Sequence, residues 1–182
     1  MLKWLLHRNL RRMERKYGYD ATYGHELIDE SLNASFRFAT IQTAGGTFRG
    51  HAPANAWFAS GIAGALVEDC GPCVQIASDI AMEQGTKGEI IKQLLSGAPT
   101  DADAQLGFDY GRALLLASPD LDALRETIEK RWGKRALMEL TLRTMTARNF
   151  PVLKRAMGHA KTCQRVRIGN DDIAVNQALK AA

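Results

Sequence analysis

No stretch of this 182-residue chain approaches the roughly 18 consecutive apolar residues that a membrane-crossing helix needs. Its start, Met1-Leu2-Lys3-Trp4-Leu5-Leu6-His7-Arg8, is too short in apolar residues to form a signal-peptide core. There are only three cysteines, an odd number, and two of them lie close together, which excludes the stapled framework of a small secreted protein. A reducing, cytoplasmic location is expected, where paired thiols cycle or bind metal rather than staple the fold. Charge of one sign is scarce as well. Against 20 acidic residues stand 24 Lys and Arg, and the net +4 permits an anionic partner without demanding nucleic acid. Neither a nucleic-acid-binding nor a membrane role is expected. Internal repeats, low-complexity segments and clear linkers are missing. Strand-like alternation is confined to Cys163–Ile168, too short to build a sheet, and no βαβ pattern occurs.

What is present is helical patterning. Residues 2–17 read as an amphipathic helix, with Leu2, Leu5, Leu6, Leu10, Met13 and Tyr17 at helical spacing and basic residues between them. Such a stripe packs on the parent domain or on a second subunit. A second helix is expected over 24–41, with Leu27, Ile28, Leu32, Phe36 and Ala39 inward, ended by Thr43-Ala44-Gly45-Gly46. Residues 54–67 form a small-residue helix whose Gly and Ala lower propensity but permit close helix contact. Thr86 and Glu89 have capping-box spacing before an apolar face, and Thr100 or Asp101 caps the next helix. Ser118-Pro119 opens another, which Gly133 ends; residues 135–149 follow, and Pro151 either kinks that helix or begins a last one. Trp4, Trp57 and Trp132 sit on apolar faces and read as core, and the tail after Gly169 as mobile. The sum is an all-α fold of about eight helices, with 46% hydrophobic residues to fill one domain over 1–182.

The chemistry concentrates at Cys70-Gly71-Pro72-Cys73. Two thiols spaced by two residues close a disulfide with little backbone movement. The following segment reads as a helix, so Pro72 falls in its first turn, where a missing N–H costs nothing. Cys70 then lies at the edge of that turn, where free N–H groups favour a thiolate.

Cys-Gly-Pro-Cys is also the thioredoxin tetrapeptide, but that fold needs a parallel strand before the motif and a Trp directly before the first Cys. Here a Gly/Ala helix ending Leu66-Val67-Glu68-Asp69 precedes it. The chain instead resembles the AhpD-like, or carboxymuconolactone decarboxylase-like, superfamily over residues 54–160. The small-residue helix leading into Cys70-x-x-Cys73 carries the resemblance. So do Thr100–Ala117 and Leu121–Gly158, with Met138-Glu139-Leu140-Thr141-Leu142 and Asn149-Phe150-Pro151 among them. It implies an all-α AhpD-like bundle that forms a homo-oligomer, with no cofactor. The implied activity is reduction of an alkyl hydroperoxide or disulfide at a Cys70/Cys73 redox pair, recharged by a thiol electron donor. The family's peroxidase pattern places a Glu twelve residues before the first Cys and a His four after the second; here those positions are Phe58 and Ala77. The activating relay is therefore absent.

Candidate replacements are few. Glu68 is the nearest base by sequence, although its charge and that of Asp69 raise a neighbouring thiol pKa unless neutralised. His51, Tyr110 and His159 are weaker candidates; His7 and His25 carry no motif. A Cys3His zinc site of Cys70, Cys73, His159 and Cys163 is an alternative, as is a non-enzymatic interaction protein keeping the fold.

Overall fold

In the computed structural model, which describes residues 1–181, the chain is all-α apart from one hairpin. Its helices are α1 (Leu2–Tyr17), α2 (Thr22–Glu30), α3 (Leu32–Gly46), α4 (Ala54–Val67), α5 (Gly71–Glu83), α6 (Gly88–Ser96), α7 (Ala102–Leu116) and α8 (Leu121–Ala156). The antiparallel strands β1 (Arg165–Ile168) and β2 (Asp171–Ala174) and a short 3-10 helix (Gln177–Lys180) complete it.

Helix α4 is the axis of the core. Every residue from Ala56 to Leu66 is buried, and α5, α7 and α8 pack around it. Its glycines and their partners explain how. A methyl group on Gly64 would lie 2.6 Å from the Thr144 carbonyl, and one on Gly107 would lie 2.2 Å from that of Ala56. The backbones thus meet at distances only Gly allows. Phe108, Ile62, Leu66, Ile128 and Leu140 fill the remaining space, each at 1% exposure or less, each worth roughly 1.5–3 kcal/mol of burial.

Local chemistry accounts for where the helices differ from the expected ones. Ser31 is extended (φ −156°, ψ 106°) and its Oγ accepts from Ala34 N, so it caps α3 and splits the expected 24–41 helix in two. Helix α3 also runs on through Gly45 and Gly46, which are buried against Thr146. The Thr86–Glu89 capping box does not form: Lys87 is the N-cap of α6, and the Thr86 hydroxyl pairs with Asn55 Oδ1 instead. Asp101 does cap α7, accepting from Ala104 N at 2.9 Å. Gly133 ends the first part of α8 as expected, its φ of 84° and ψ of 168° dividing the element into two helices across a kink, whereas Pro151 lies buried within the second part rather than starting a new helix.

Two further corrections concern the ends. Trp4 is not core but 55% exposed, and Phe36 is 45% exposed. The segment after Gly169 is packed rather than mobile: β2 pairs with β1, Val175 is buried, and Arg112 Nε donates to the Leu179 carbonyl at 2.6 Å. Ala182, the last residue of that segment, lies outside the described residues. No described helix is long and apolar enough to cross a membrane.

Candidate functional site

Cys70 is the N-cap of α5, with extended backbone (φ −108°, ψ 95°), and Pro72 occupies the first turn as its fixed φ favours. Cys70 and Cys73 are joined in a disulfide with their Cα atoms 5.2 Å apart, within the usual span. Both are nearly closed off, at 3% and 4% exposure. Gly71 is required by its surroundings: a methyl group there would lie 2.8 Å from the Thr162 carbonyl and 3.3 Å from Cys163 Cα. The segment 161–163 therefore seals one flank of the motif, and Gly71 N donates to the Lys161 carbonyl at 3.1 Å.

The opposite flank opens on a cavity of about 220 Å³. Cys73 lines it, together with Tyr19, Tyr23, Ile76, Ala77 and Arg143. The small side chain at position 77 borders open space. Phe58, the other departure from the family pattern, is buried edge-on to Trp57 and brings no carboxylate. A polar group arrives from elsewhere. The α1–α2 connection carries Tyr19, whose hydroxyl lies 3.9 Å from Cys73 Sγ and 3.3 Å from the Tyr23 hydroxyl. Burial pushes both phenols above their ordinary pKa. Tyr19 thus stays a neutral phenol that donates to the Tyr23 hydroxyl, and it is not a base. Lys154, at 1% exposure, lies 4.5 Å from the Tyr19 ring centre and donates to the Asp20 carbonyl. Burial lowers its pKa.

The four side chains considered as bases are placed elsewhere. Glu68, at the C-cap of α4, is held between Arg148 (2.5 Å) and Arg155, with only 7% of its side chain exposed. Its charge is neutralised there and it is committed to α8. Asp69 is neutralised by Lys180 at 2.5 Å. His51 sits in the loop before α4, where Glu139 gathers the backbone N–H groups of His51 and Ala52. Burial works to raise the Glu139 carboxyl, but the N–H groups of Ala52, His51 and Gly50 outweigh it and hold it below the ordinary range. Tyr110 is bonded to the Thr141 hydroxyl at 2.7 Å, between α7 and α8. His159 pairs with Glu26 at 2.9 Å. None of the four lines the Cys73 cavity. The zinc alternative fails on geometry: among the described residues no three His, Cys, Asp or Glu side chains converge as a metal site.

Tyr19, Tyr23, Lys154 and Arg143 had no signal at the motif's own spacing. Tyr19 directly follows the Tyr17-Gly18 break, and its position against Cys73 depends on how α1 folds back. No protein-family model, curated protein or solved structure matches this chain. Fold and site define a helical protein with a buried Cys-x-x-C disulfide at a helix N-terminus, open on one side to a tyrosine-lined cavity.

Proposed function

We propose that the chain is a thiol-dependent oxidoreductase of the AhpD-like kind, reducing an alkyl hydroperoxide or a disulfide through Cys70 and Cys73. The observation that carries this reading is the asymmetric placement of the pair: Cys73 borders the cavity and Cys70 does not. Cys73 is the attacking thiol and Cys70 the resolving one. In the reduced protein, the Cys73 thiolate attacks the terminal peroxide oxygen. An S–O bond forms, the O–O bond breaks, and the alkoxide leaves as alcohol after taking a proton, with the Tyr19 hydroxyl as the nearby donor. Cys70 then attacks the sulfenic sulfur, the disulfide closes and water leaves. An external thiol donor returns both cysteines to the reduced state. The Arg143 cation, which lines the same cavity as Cys73, favours the Cys73 thiolate in place of the missing relay.

The test is disulfide formation in the reduced chain after stoichiometric peroxide, followed by thiol counting. Loss of two thiols per chain in wild type, and of none as intramolecular disulfide in Cys70→Ser, is expected. No oxidation at either cysteine leaves the motif structural. That second reading, a non-enzymatic protein keeping the fold, is favoured by the near-complete burial of both cysteines. The resemblance also implies at least a dimer. Met138, Met145 and Val152, exposed at seven-residue steps along α8, are the surface suited to it. A monomeric mass by light scattering at micromolar concentration overturns that assembly.

A further inference from the structure

Among the described residues, Arg143 is a poorly compensated charge. It reaches from α8 into the notch left by Gly61, where a methyl group would lie 2.4 Å from its Nε. Its Nε has no solvent contact and no hydrogen-bond partner. Nη1 has one long contact, 3.4 Å to the Gly46 carbonyl. The guanidinium stacks on Trp57, 4.4 Å from the ring centre. It keeps partial accessibility because it borders a cavity. Even so, protein crowds it closely enough that desolvation pushes its pKa down to about 10. It stays cationic at neutral pH, and among the described residues no carboxylate pairs with it. A largely desolvated cation without a paired anion is unfavourable.

The space it borders is apolar and extended. The Cys73 cavity adjoins a second one of about 430 Å³ between α1, α2 and α3, and the two share Leu10, Met13, Tyr23 and Phe150. Together they fall in the roughly 300–1,000 Å³ range of small-molecule sites. The second cavity holds another uncompensated group, the Gln42 amide, whose oxygen and nitrogen are both buried without partners. Arg143 lines the smaller of these adjoining spaces and Gln42 the larger, and native folds leave few such groups unsatisfied.

We infer that these two adjoining spaces form a binding site for a single-chain amphiphile with an anionic head, a fatty acid: the carboxylate pairs with Arg143 and the acyl chain runs under α1 along Leu10, Met13 and Phe150. A guanidinium pairs with a carboxylate through two parallel N–H bonds, supplying the anion that Arg143 lacks. The apolar walls take the chain. Helix α1 has no fully buried residue of its own, and its Leu6, Leu10 and Met13 are the cover over that chain. The site does not rest on redox chemistry at Cys73, although the carboxylate takes up the same Arg143 cation that the proposed reaction uses to favour the thiolate.

The experiment uses the full-length oxidised chain and dibromostearate, whose bromines quench tryptophan at short range, below its micelle concentration. With the bromines placed on the carbons next to the carboxyl group, Trp57, stacked on Arg143, is the reporter. Saturable quenching is expected, largely lost in Trp57→Phe. The methyl ester and an alkylamine of equal chain length should bind at least about tenfold more weakly, the worth of one charge-assisted hydrogen bond. Arg143→Gln should erase the preference for acid over ester, and Arg143→Lys should keep part of it. Equal affinity for acid and ester in wild type overturns the head-group assignment without any variant having to fold. Non-saturable quenching, or quenching undiminished in Trp57→Phe, overturns the site itself.

Discussion

The two flanks of the Cys70–Cys73 disulfide are built by opposite rules. On the flank facing Cys163, polar groups are closely paired. Asp69 Oδ1 accepts from Cys163 N at 2.8 Å and from Lys180 Nζ at 2.5 Å; Lys180 also donates to the Cys163 carbonyl and to Gln177 Oε1. On the flank facing Tyr19, a cavity remains, a guanidinium lacks an anion, and Lys154 is buried with a single carbonyl as its hydrogen-bond acceptor. A satisfied network rigidifies, whereas an unsatisfied one costs stability and persists where it serves something else. The first flank is thus a seal and the second a site. Truncations on the seal should cost stability, and truncations on the site should cost chemistry.

The largest expected effect is on the thiols themselves. Cys70→Ser and Cys73→Ser should each abolish intramolecular disulfide formation, whereas Cys163→Ser should leave it intact. After reduction, one thiol of the pair should alkylate well below the roughly 8.5 of a free cysteine. Cys163, pushed up to about 11 by burial, should not react until the chain unfolds. Mass mapping of alkylated peptides over a pH series checks both. Rapid labelling of Cys163 in the folded protein would break the distinction between the flanks.

Next come the rates. With Phe58 and Ala77 where the relay would stand, peroxide-driven disulfide formation should be slower by about 10² or more than in proteins with that relay. Within this chain, Tyr19→Phe should slow the reaction by about tenfold, because it removes the hydroxyl beside Cys73 Sγ, and it should also lower the unfolding midpoint slightly by unpairing the Tyr23 hydroxyl. Glu68→Gln should leave the rate unchanged and instead lower the unfolding midpoint, since it unpairs Arg148 and Arg155. Stopped-flow oxidation beside thermal melts separates the two; a rate loss in Glu68→Gln would restore that residue as a base.

How much of this was legible follows the range of the interactions. The boundaries of α4 and α5 could be read because their causes are local: a run of Gly and Ala, a Pro in a first turn, two cysteines at fixed spacing. The Ser31 break and the failed Thr86 cap could not. Ser31 had no flanking signal strong enough to oppose the apolar spacing around it. Thr86 is drawn away by Asn55, a partner 31 residues distant. The site was half legible for the same reason. Cys70 and Cys73 announce themselves, while Tyr19 and Arg143 reach the cavity from the α1–α2 connection and from α8, both far away in sequence. Arg143 is met by a notch at Gly61 that in sequence is one more small residue in α4.

A paired stability measurement sharpens the contrast further. Asp69→Ala removes the acceptor for Cys163 N and Lys180, and places Ala at a φ of 53°, where a side chain without a local polar partner is disfavoured. It should cost about 2 kcal/mol. Arg143→Met replaces an unpaired cation by an apolar chain of similar length and should be neutral or stabilising by about 1 kcal/mol. Urea unfolding of the oxidised variants checks this, and equal losses would mean that both flanks are structural.

The smallest effect is a pH dependence. Burial raises the Cys163 thiol from about 9.0 to about 11, so between those values the folded chain holds a proton that the unfolded chain has released. The folded state then binds more protons, and stability falls as pH rises through that window. Its loss should be of the order of 1 kcal/mol, since each pKa unit is worth about 1.4 kcal/mol at most and the neighbouring Lys180 softens the penalty. Tyr19 and Tyr23, also raised, add a loss of the same sign at higher pH, so the informative quantity is the difference between wild type and Cys163→Ala. With the disulfide intact, Cys70 and Cys73 do not titrate, and the variant should show a flatter decline above about pH 9. An identical decline in both proteins would mean that the Cys163 thiol ionises freely in the folded state, and that the seal over that flank is open.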